Sequence, residues 1–358
     1  MMKSTKYLIL AFCILLICTG CTTVKQKPAP ITSISTHGVG SVTNFDQNPL
    51  FLLNGMLYAL DAATCELELF CDIENCAHHL SEVLTEPSSC PAALGKGFII
   101  GSYEDKLYAA VNGAGWYIYT YSDTEKCFKL QNHILEISDF NGAFHKNYFY
   151  YFSLGSLKRI ELVEDAESEI VLENLAGSEH YTLSGMAFFD DILVMNGGLT
   201  TVDTWIYNIN SNELIKADIQ STTPEYYNGK LYFINGTEGE YTLYSYTPET
   251  EALDSLIEFR TTSMNTRIAV DDDYIYMTLY EDIQPDAAAS SSTLAVYKHD
   301  GQLVKQIPLD PIENDAMKTV MCSNHTYIFL GNSNAIFDQS LWVIEKDSLW
   351  RNYSECEL

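Results

Sequence analysis

Seven stretches share one design: LYALDAATCELEL (57–69), IYTYSDTEKCFKL (118–130), LKRIELVEDAESEIVL (157–172), IYNINSNELIKA (206–217), LYSYTPETEALDSL (243–256), VYKHDGQLVKQI (296–307) and LWVIEKDSLWRNY (341–353). Each runs through an alternating strand, which carries an aromatic in all but the third, a polar turn of about four residues, and a second strand. A shorter strand precedes each: PLFLL (49–53), KLYAAV (106–111), YFYYF (148–152), ILVMN (192–196), KLYFI (230–234), YIYMTL (274–279) and TYIFLG (326–331). Most of these follow a further apolar stretch, as in GFIIG (97–101), GMAFF (185–189), RIAV (267–270) and TVMC (319–322). Four short strands recurring every ~40–50 residues are the mark of propeller blades. The expected fold is therefore all-β, a seven-bladed β-propeller of four-stranded antiparallel blades.

Burial explains the repeat. A lone four-stranded sheet leaves much apolar surface wet, whereas blades stacked around an axis cover both faces. Tyr58, Tyr119, Tyr207, Tyr244, Tyr297 and Trp342 occupy one place in six hairpins, and the third has Lys158 there. These aromatics are expected on the faces between blades. Blade seven is expected to own its last strand (348–353). Blade one takes its first strand from 38–45 or leaves the ring to close by face-to-face contact.

Between the first two hairpins the spacing widens to 61 residues, from Tyr58 to Tyr119, and the added length is FCDIENCAHHLSEVLTEPSSCPAAL (70–94). Cys71, Cys76, His78 and Cys90 follow the pattern C-x4-C-x-H-x11-C, with His79 as an alternate to His78. Three thiolates and an imidazole suit tetrahedral zinc, and four protein ligands make such a site structural rather than catalytic. An oxidising address would favour one disulfide and a leftover thiol instead, or the cysteines do neither. The cysteines after residue 21 are seven (65, 71, 76, 90, 127, 322 and 356), so complete pairing is impossible.

The N-terminus reads as an export signal. Lys3 and Lys6 precede an apolar run, 7–17, that is too short for the ~20 residues of a membrane span. The run ends at Cys18-Thr19-Gly20-Cys21, which resembles the lipobox of bacterial lipoproteins, with Cys18 where that motif usually has Leu. The resemblance implies that Cys21 is the lipid attachment site. Two acyl chains would hold the chain firmly, at ~0.8 kcal/mol per buried CH₂. An ordinary secretory signal or an uncleaved anchor is the alternative. Residues 22–41 (TTVKQKPAPITSISTHGVGS) have a tether's composition. The domain plan is thus 1–21 signal peptide, 22–41 flexible tether and 42–358 propeller, with the insertion at 70–94.

Charge excludes one class of partner. Lys3 and Lys6 are the only charged residues of the first 21, so export leaves 18 of the 20 basic residues against 48 acidic ones and takes the net charge from −28 to −30. Nucleic acid is excluded, because phosphate binding needs clustered Lys and Arg. An export signal ending in cysteine, L-Y hairpins, and Cys71, Cys76, His78 and Cys90-Pro91-Ala92 together resemble a group of clostridia-like bacterial propeller lipoproteins of unassigned activity. That resemblance implies a fold and an address, not a reaction.

No G-x-S-x-G elbow, P-loop, H-E-x-x-H or EF-hand loop occurs. NGAGWY (112–117) reads as a hairpin loop. Asp271-Asp272-Asp273 takes the turn place held by Asp190-Asp191 and Asn228-Gly229 elsewhere. His145, His180, His299 and His325 fall on different blades with no matching nucleophile. The expected function is a non-enzymatic binding scaffold, lipid-anchored through Cys21 on the extracytoplasmic face, for a protein, peptide or glycan. The alternatives are an extracytoplasmic carbohydrate- or peptide-active enzyme, signalled by two carboxylates or a His with a carboxylate at the channel mouth, and an accessory or sensor subunit of a membrane complex. No catalytic residue is assigned, and structural zinc is the expected cofactor.

Overall fold

Alternation sets the faces of each strand, and two-residue turns set the register. Asn54-Gly55, Leu154-Gly155 and Asn228-Gly229 all have positive φ at both residues, the backbone that matches the twist of paired strands. The structure is a computed structural model that describes Ser33–Ile34, Ser41–Phe45 and residues 48–355, apart from 62–65, 96, 137–140, 176–182, 199–201, 218, 220–223, 238, 262–265, 282–290, 311–317, 324–326, 333–340 and 347–352. The expected signal peptide with Cys21 lies outside the described residues, as do Cys65, His180, His325, Cys356 and most of the tether and of 348–353.

A short strand, β1 (Ser33–Ile34), precedes the ring. Blade 1 is β2 (Ser41–Phe45), β3 (Asn48–Leu53), β4 (Met56–Asp61) and β5 (Glu66–Leu69). Blade 2 is β6 (Phe98–Tyr103), β7 (Lys106–Gly113), β8 (Gly115–Ser122) and β9 (Cys127–Ile134). Blade 3 is β10 (Gly142–His145), β11 (Tyr148–Ser153), β12 (Ser156–Glu161) and β13 (Glu169–Leu172). Blade 4 is β14 (Leu183–Phe189), β15 (Ile192–Gly197), β16 (Asp203–Asn208) and β17 (Glu213–Ala217). Blade 5 is β18 (Glu225–Tyr227), β19 (Lys230–Thr237), β20 (Glu240–Thr247) and β21 (Ala252–Arg260). Blade 6 is β22 (Ile268–Val270), β23 (Ile275–Glu281), β24 (Ser291–Tyr297) and β25 (Leu303–Leu309). Blade 7 is β26 (Lys318–Ser323), β27 (Tyr327–Asn332), β28 (Leu341–Glu345) and β29 (Tyr353–Glu355). Each blade is an antiparallel meander of consecutive strands, so the protein is a seven-bladed β-propeller.

First strands of successive blades lie beside one another, as β2 with β6, β6 with β10 and β22 with β26, and they therefore line the axis. Seven apolar clusters fill the seams between neighbouring blades, and Tyr58, Tyr119, Tyr207, Tyr244, Tyr297 and Trp342 all lie in them. Each fully buried aromatic or leucine there contributes ~1.5–3 kcal/mol. The ring closes face to face. Phe51, Leu53 and Leu60 of blade 1 pack on Met321, Phe329 and Val343 of blade 7, and no blade borrows a strand to complete its four. Two glycines permit the close approach of blades 2 and 3. A Cβ on Gly101 would lie 2.3 Å from Cβ of Phe144, and one on Gly142 would lie 3.0 Å from Cη2 of Trp116.

Blades 6 and 7 are also joined by a buried ion pair. Asp271, 2% exposed, accepts hydrogen bonds from Lys346 Nζ at 2.6 Å and Ser323 Oγ at 2.7 Å. Its other oxygen accepts the backbone N–H groups of Asp273 and Tyr274 at 3.0 and 3.1 Å and the Tyr276 hydroxyl at 3.3 Å. The turn reading of Asp271-Asp272-Asp273 thus accounts for half of what Asp271 does. The other half is a cross-blade latch that no spacing announces. β1 adds a fifth strand to blade 7, on the axial side of β26.

Candidate functional site

Four inner strands converge on a cleft at the axis. Its walls come from the ends of β2, β6, β10 and β14 next to each blade's first turn, and its volume is about 530 Å³, within the range of ligand sites. Phe144, Phe188 and Ile100 supply apolar surface, and His145, Lys146 and Asp191 supply charge. A hydrogen bond between Thr43 Oγ1 and Ser102 Oγ, 3.0 Å, ties β2 to β6 at the rim.

Asp191 organises the polar side. It sits in the first turn of blade 4 and reaches back to blade 3, where His145 Nε2 lies 3.0 Å and Lys146 Nζ 2.5 Å from Oδ1. Asn210, in the outer turn of blade 4, donates to Oδ2 at 2.8 Å. Lys146, Asn210 and His145, in that order, draw the Asp191 carboxyl down to about 2. The Phe188 ring stacks on His145 with centroids 4.4 Å apart and planes 18° from parallel. Burial lowers the His145 pKa, and the hydrogen bond to Asp191 opposes that without cancelling it. Lys146 and Asp190 hold φ of 50°, which fixes both turns in the tight hairpin geometry that brings the charges together. Among the described residues His145 hydrogen-bonds Asp191 and no serine, threonine or cysteine.

The sequence reading assigned Asp190-Asp191 to turn chemistry and left His145 without a partner. The structure makes them one cluster. The two residues are 46 positions apart, and only the register of adjacent blades joins them. His299 goes elsewhere, stacked on Tyr227 between blades 5 and 6.

Residues 85–95 of the insertion lie at the opposite end of the ring, and Asp72 pairs with Lys126 in the third turn of blade 2 at 3.2 Å. Leu57 N–H donates to Ala92 O at 2.7 Å and Gly95 N–H to Gly55 O at 2.9 Å, beside the middle turn of blade 1. The Tyr119 hydroxyl donates to Thr85 O at 2.7 Å, beside the middle turn of blade 2. Cys71, Cys76, His78 and Cys90 come together with their ligand atoms all within 4.8 Å of one another. His79 points into no such group, being exposed. His78 has φ of 51° and its Nδ1 lies 3.3 Å from Cys90 Sγ. Tetrahedral zinc would set its sulfur and nitrogen ligands about 3.5–3.8 Å apart, so the four residues fit such an ion with little movement. The His78 backbone N–H lowers the Cys76 thiol, while burial pushes Cys90 up to about 12. Cys90, Ala92, Ala93 and Leu94 are buried apolar residues of the insertion, Leu94 in the seam between blades 1 and 2, and Leu84 and Val83 stay exposed.

No protein-family model and no curated protein matches the chain. Solved structures do. A prolyl endopeptidase aligns at 9% identity and TM-score 0.52 over 91% of this chain and 50% of its own, so the chain spans half of that enzyme. A chain of the mitotic checkpoint complex aligns at 10% identity and TM-score 0.50 over 88% and 92%. BamB from Moraxella catarrhalis aligns at 13% identity and TM-score 0.45 over 84% and 83%. At these identities the likeness is one of fold.

Proposed function

We propose that the chain is a lipid-anchored extracytoplasmic binding protein, attached through Cys21, whose ligand occupies the cleft on blades 1–4. The cluster around Asp191 is the observation that carries this reading. Its carboxylate is held by three donors against an aromatic wall, a preorganised polar group beside apolar surface, as small ligand and peptide sites use. The acidic chain favours a ligand with a cationic group. Retention of envelope components by the native lipoprotein tests it: Phe188→Ala and Asp191→Asn are expected to lose the bound species. Undiminished retention by both variants would overturn the assignment of the cleft.

A second reading has its own observation. His145 paired with Asp191 supplies a positioned base, the signal set out above for a carbohydrate- or peptide-active enzyme. Turnover of envelope glycan or peptide that rises through the His145 pKa and vanishes in His145→Ala would establish it. Among the described residues His145 is bonded to Asp191 and to no hydroxyl or thiol, and we rank this reading second.

The Cys71, Cys76, His78 and Cys90 group we assign to structural zinc, which would pin an insertion with few buried apolar residues. One zinc per chain by native mass, lost in Cys76→Ser, is expected. A mass deficit of one disulfide with no metal would replace the zinc by a staple.

A further inference from the structure

We infer that the chain enters the ring from the end that carries the first turns, so that the anchored molecule turns its cleft toward the bilayer and its Cys/His insertion away. The inference rests on the lipid-anchor reading for the membrane, and on β1 for the direction. β26 runs from Lys318 to Ser323, and its hairpin to β27 closes beyond Ser323. Ser323 therefore marks the first-turn end. β1 is antiparallel to β26, with Ser33 opposite Ser323 and Ile34 opposite Cys322. The chain preceding Ser33 then arrives from the first-turn end, and Ile34 heads for the other. β2 agrees with this path. It starts at Ser41, opposite Leu52, and reaches its first turn at Phe45, opposite Asn48. The polypeptide thus runs up the axis once in β1 and down it once in β2.

The cleft lies at that same first-turn end, on the inner strands of blades 1–4, while β1 occupies the axial edge of blade 7 and approaches blade 6. The two share the axial space without overlap. Eleven residues, 22–32, separate Cys21 from Ser33, which limits the anchor to about 40 Å from β1 when fully extended. A tether leaving by the other end would first have to run back along a strand's length, ~20 Å. Residues 85–95 of the insertion, bonded to the middle turn of blade 1 and packed on Gly113 at that of blade 2, stand on the far side, while Asp72 reaches Lys126 in the third turn of blade 2. A ligand therefore meets the cleft only from the gap of about 40 Å or less between ring and lipid.

Distances read the direction with and without a membrane. A clickable azido side chain at Asp105, in the first turn of blade 2, or at Leu84, in the insertion, carries a donor. In the full-length acylated chain on phosphatidylcholine vesicles with a headgroup acceptor, the donor at Asp105 is expected to be quenched several-fold more than that at Leu84. A second label at Thr32 is expected to sit closer to Asp105 than to Leu84 in the same chain. Ile34→Pro removes an amide hydrogen from β1 and is expected to narrow both differences. Equal or reversed distances from Thr32 would overturn the inference whatever the state of Cys21. The expected distances in a chain that carries no acyl group and binds no vesicle would overturn the anchor alone.

Discussion

His145 and Asp191 hold each other at 3.0 Å across a blade seam, and both titrate below their ordinary values, which favours the neutral imidazole and the charged carboxylate. Burial lowers the histidine below its ordinary 6.5, so the unfolded chain binds that proton more readily. Stability from this group is full above pH ~6.5 and falls as pH drops from there toward the folded value. The aspartate, held near 2 by Lys146 first and by Asn210 and His145 after it, contributes above its unfolded value near 3.9 and loses that contribution between about 4 and 2. Asp191→Asn removes the group that raises the histidine. Proton NMR titration of the His145 ring is therefore expected to show a further fall, and an unchanged value would mean the carboxylate does not act on it. None of this was legible in the sequence. Asp-Asp in a turn and a histidine at a strand end are both ordinary, and the chemistry arises only when two hairpins from different blades stop at the same level.

Hairpins were the legible elements. Alternating residues with an aromatic at a fixed place announced β4, β8, β16, β20, β24 and β28, and Asn228-Gly229 announced a turn, which has positive φ at both residues. Turns such as Lys146-Asn147 and Glu104-Asp105 take positive φ at the first residue alone, 50° and 54°, with residues that do not advertise it. Long-range partners stayed hidden for the same reason, and Asp271 is the clearest case. Burial works against its charged form, but the Lys346 ammonium outweighs that and holds its pKa down. Lys346→Met would leave the carboxylate buried and unpaired, a loss of ~3–5 kcal/mol expected in urea unfolding at pH 7. Below the folded Asp271 pKa that loss is expected to shrink, because the carboxyl is then neutral. Gly101→Ala tests the packing of β6 against β10. With a Cβ 2.3 Å from that of Phe144 the strands must separate, and a loss of ~1–3 kcal/mol is expected from thermal unfolding.

At the scale of the molecule, blade number and order follow from the repeat because each blade buries both faces against its neighbours. The insertion was recognisable by its excess length, and its four candidate ligands by their residue types, since three thiolates and an imidazole suit a tetrahedral ion. Chelation of the proposed zinc is expected to lower the melting temperature and to speed amide exchange in 70–94 while leaving blades 4–6 protected. Exchange rising uniformly around the ring would show that the ion supports more than the insertion. The seam between blades 1 and 7 has a different consequence. Each blade is contiguous in the chain, and side-chain packing alone closes the circle. The ring therefore has no privileged starting blade. The other blades are joined by linkers of seven residues (135–141) to ten (173–182), the insertion aside. A linker of that size from Glu355 to Ser41, with new ends opened between blades 3 and 4, would give a circular permutant with the same seven seams. Such a permutant would lack β1, the strand that blade 7 carries beyond its own four.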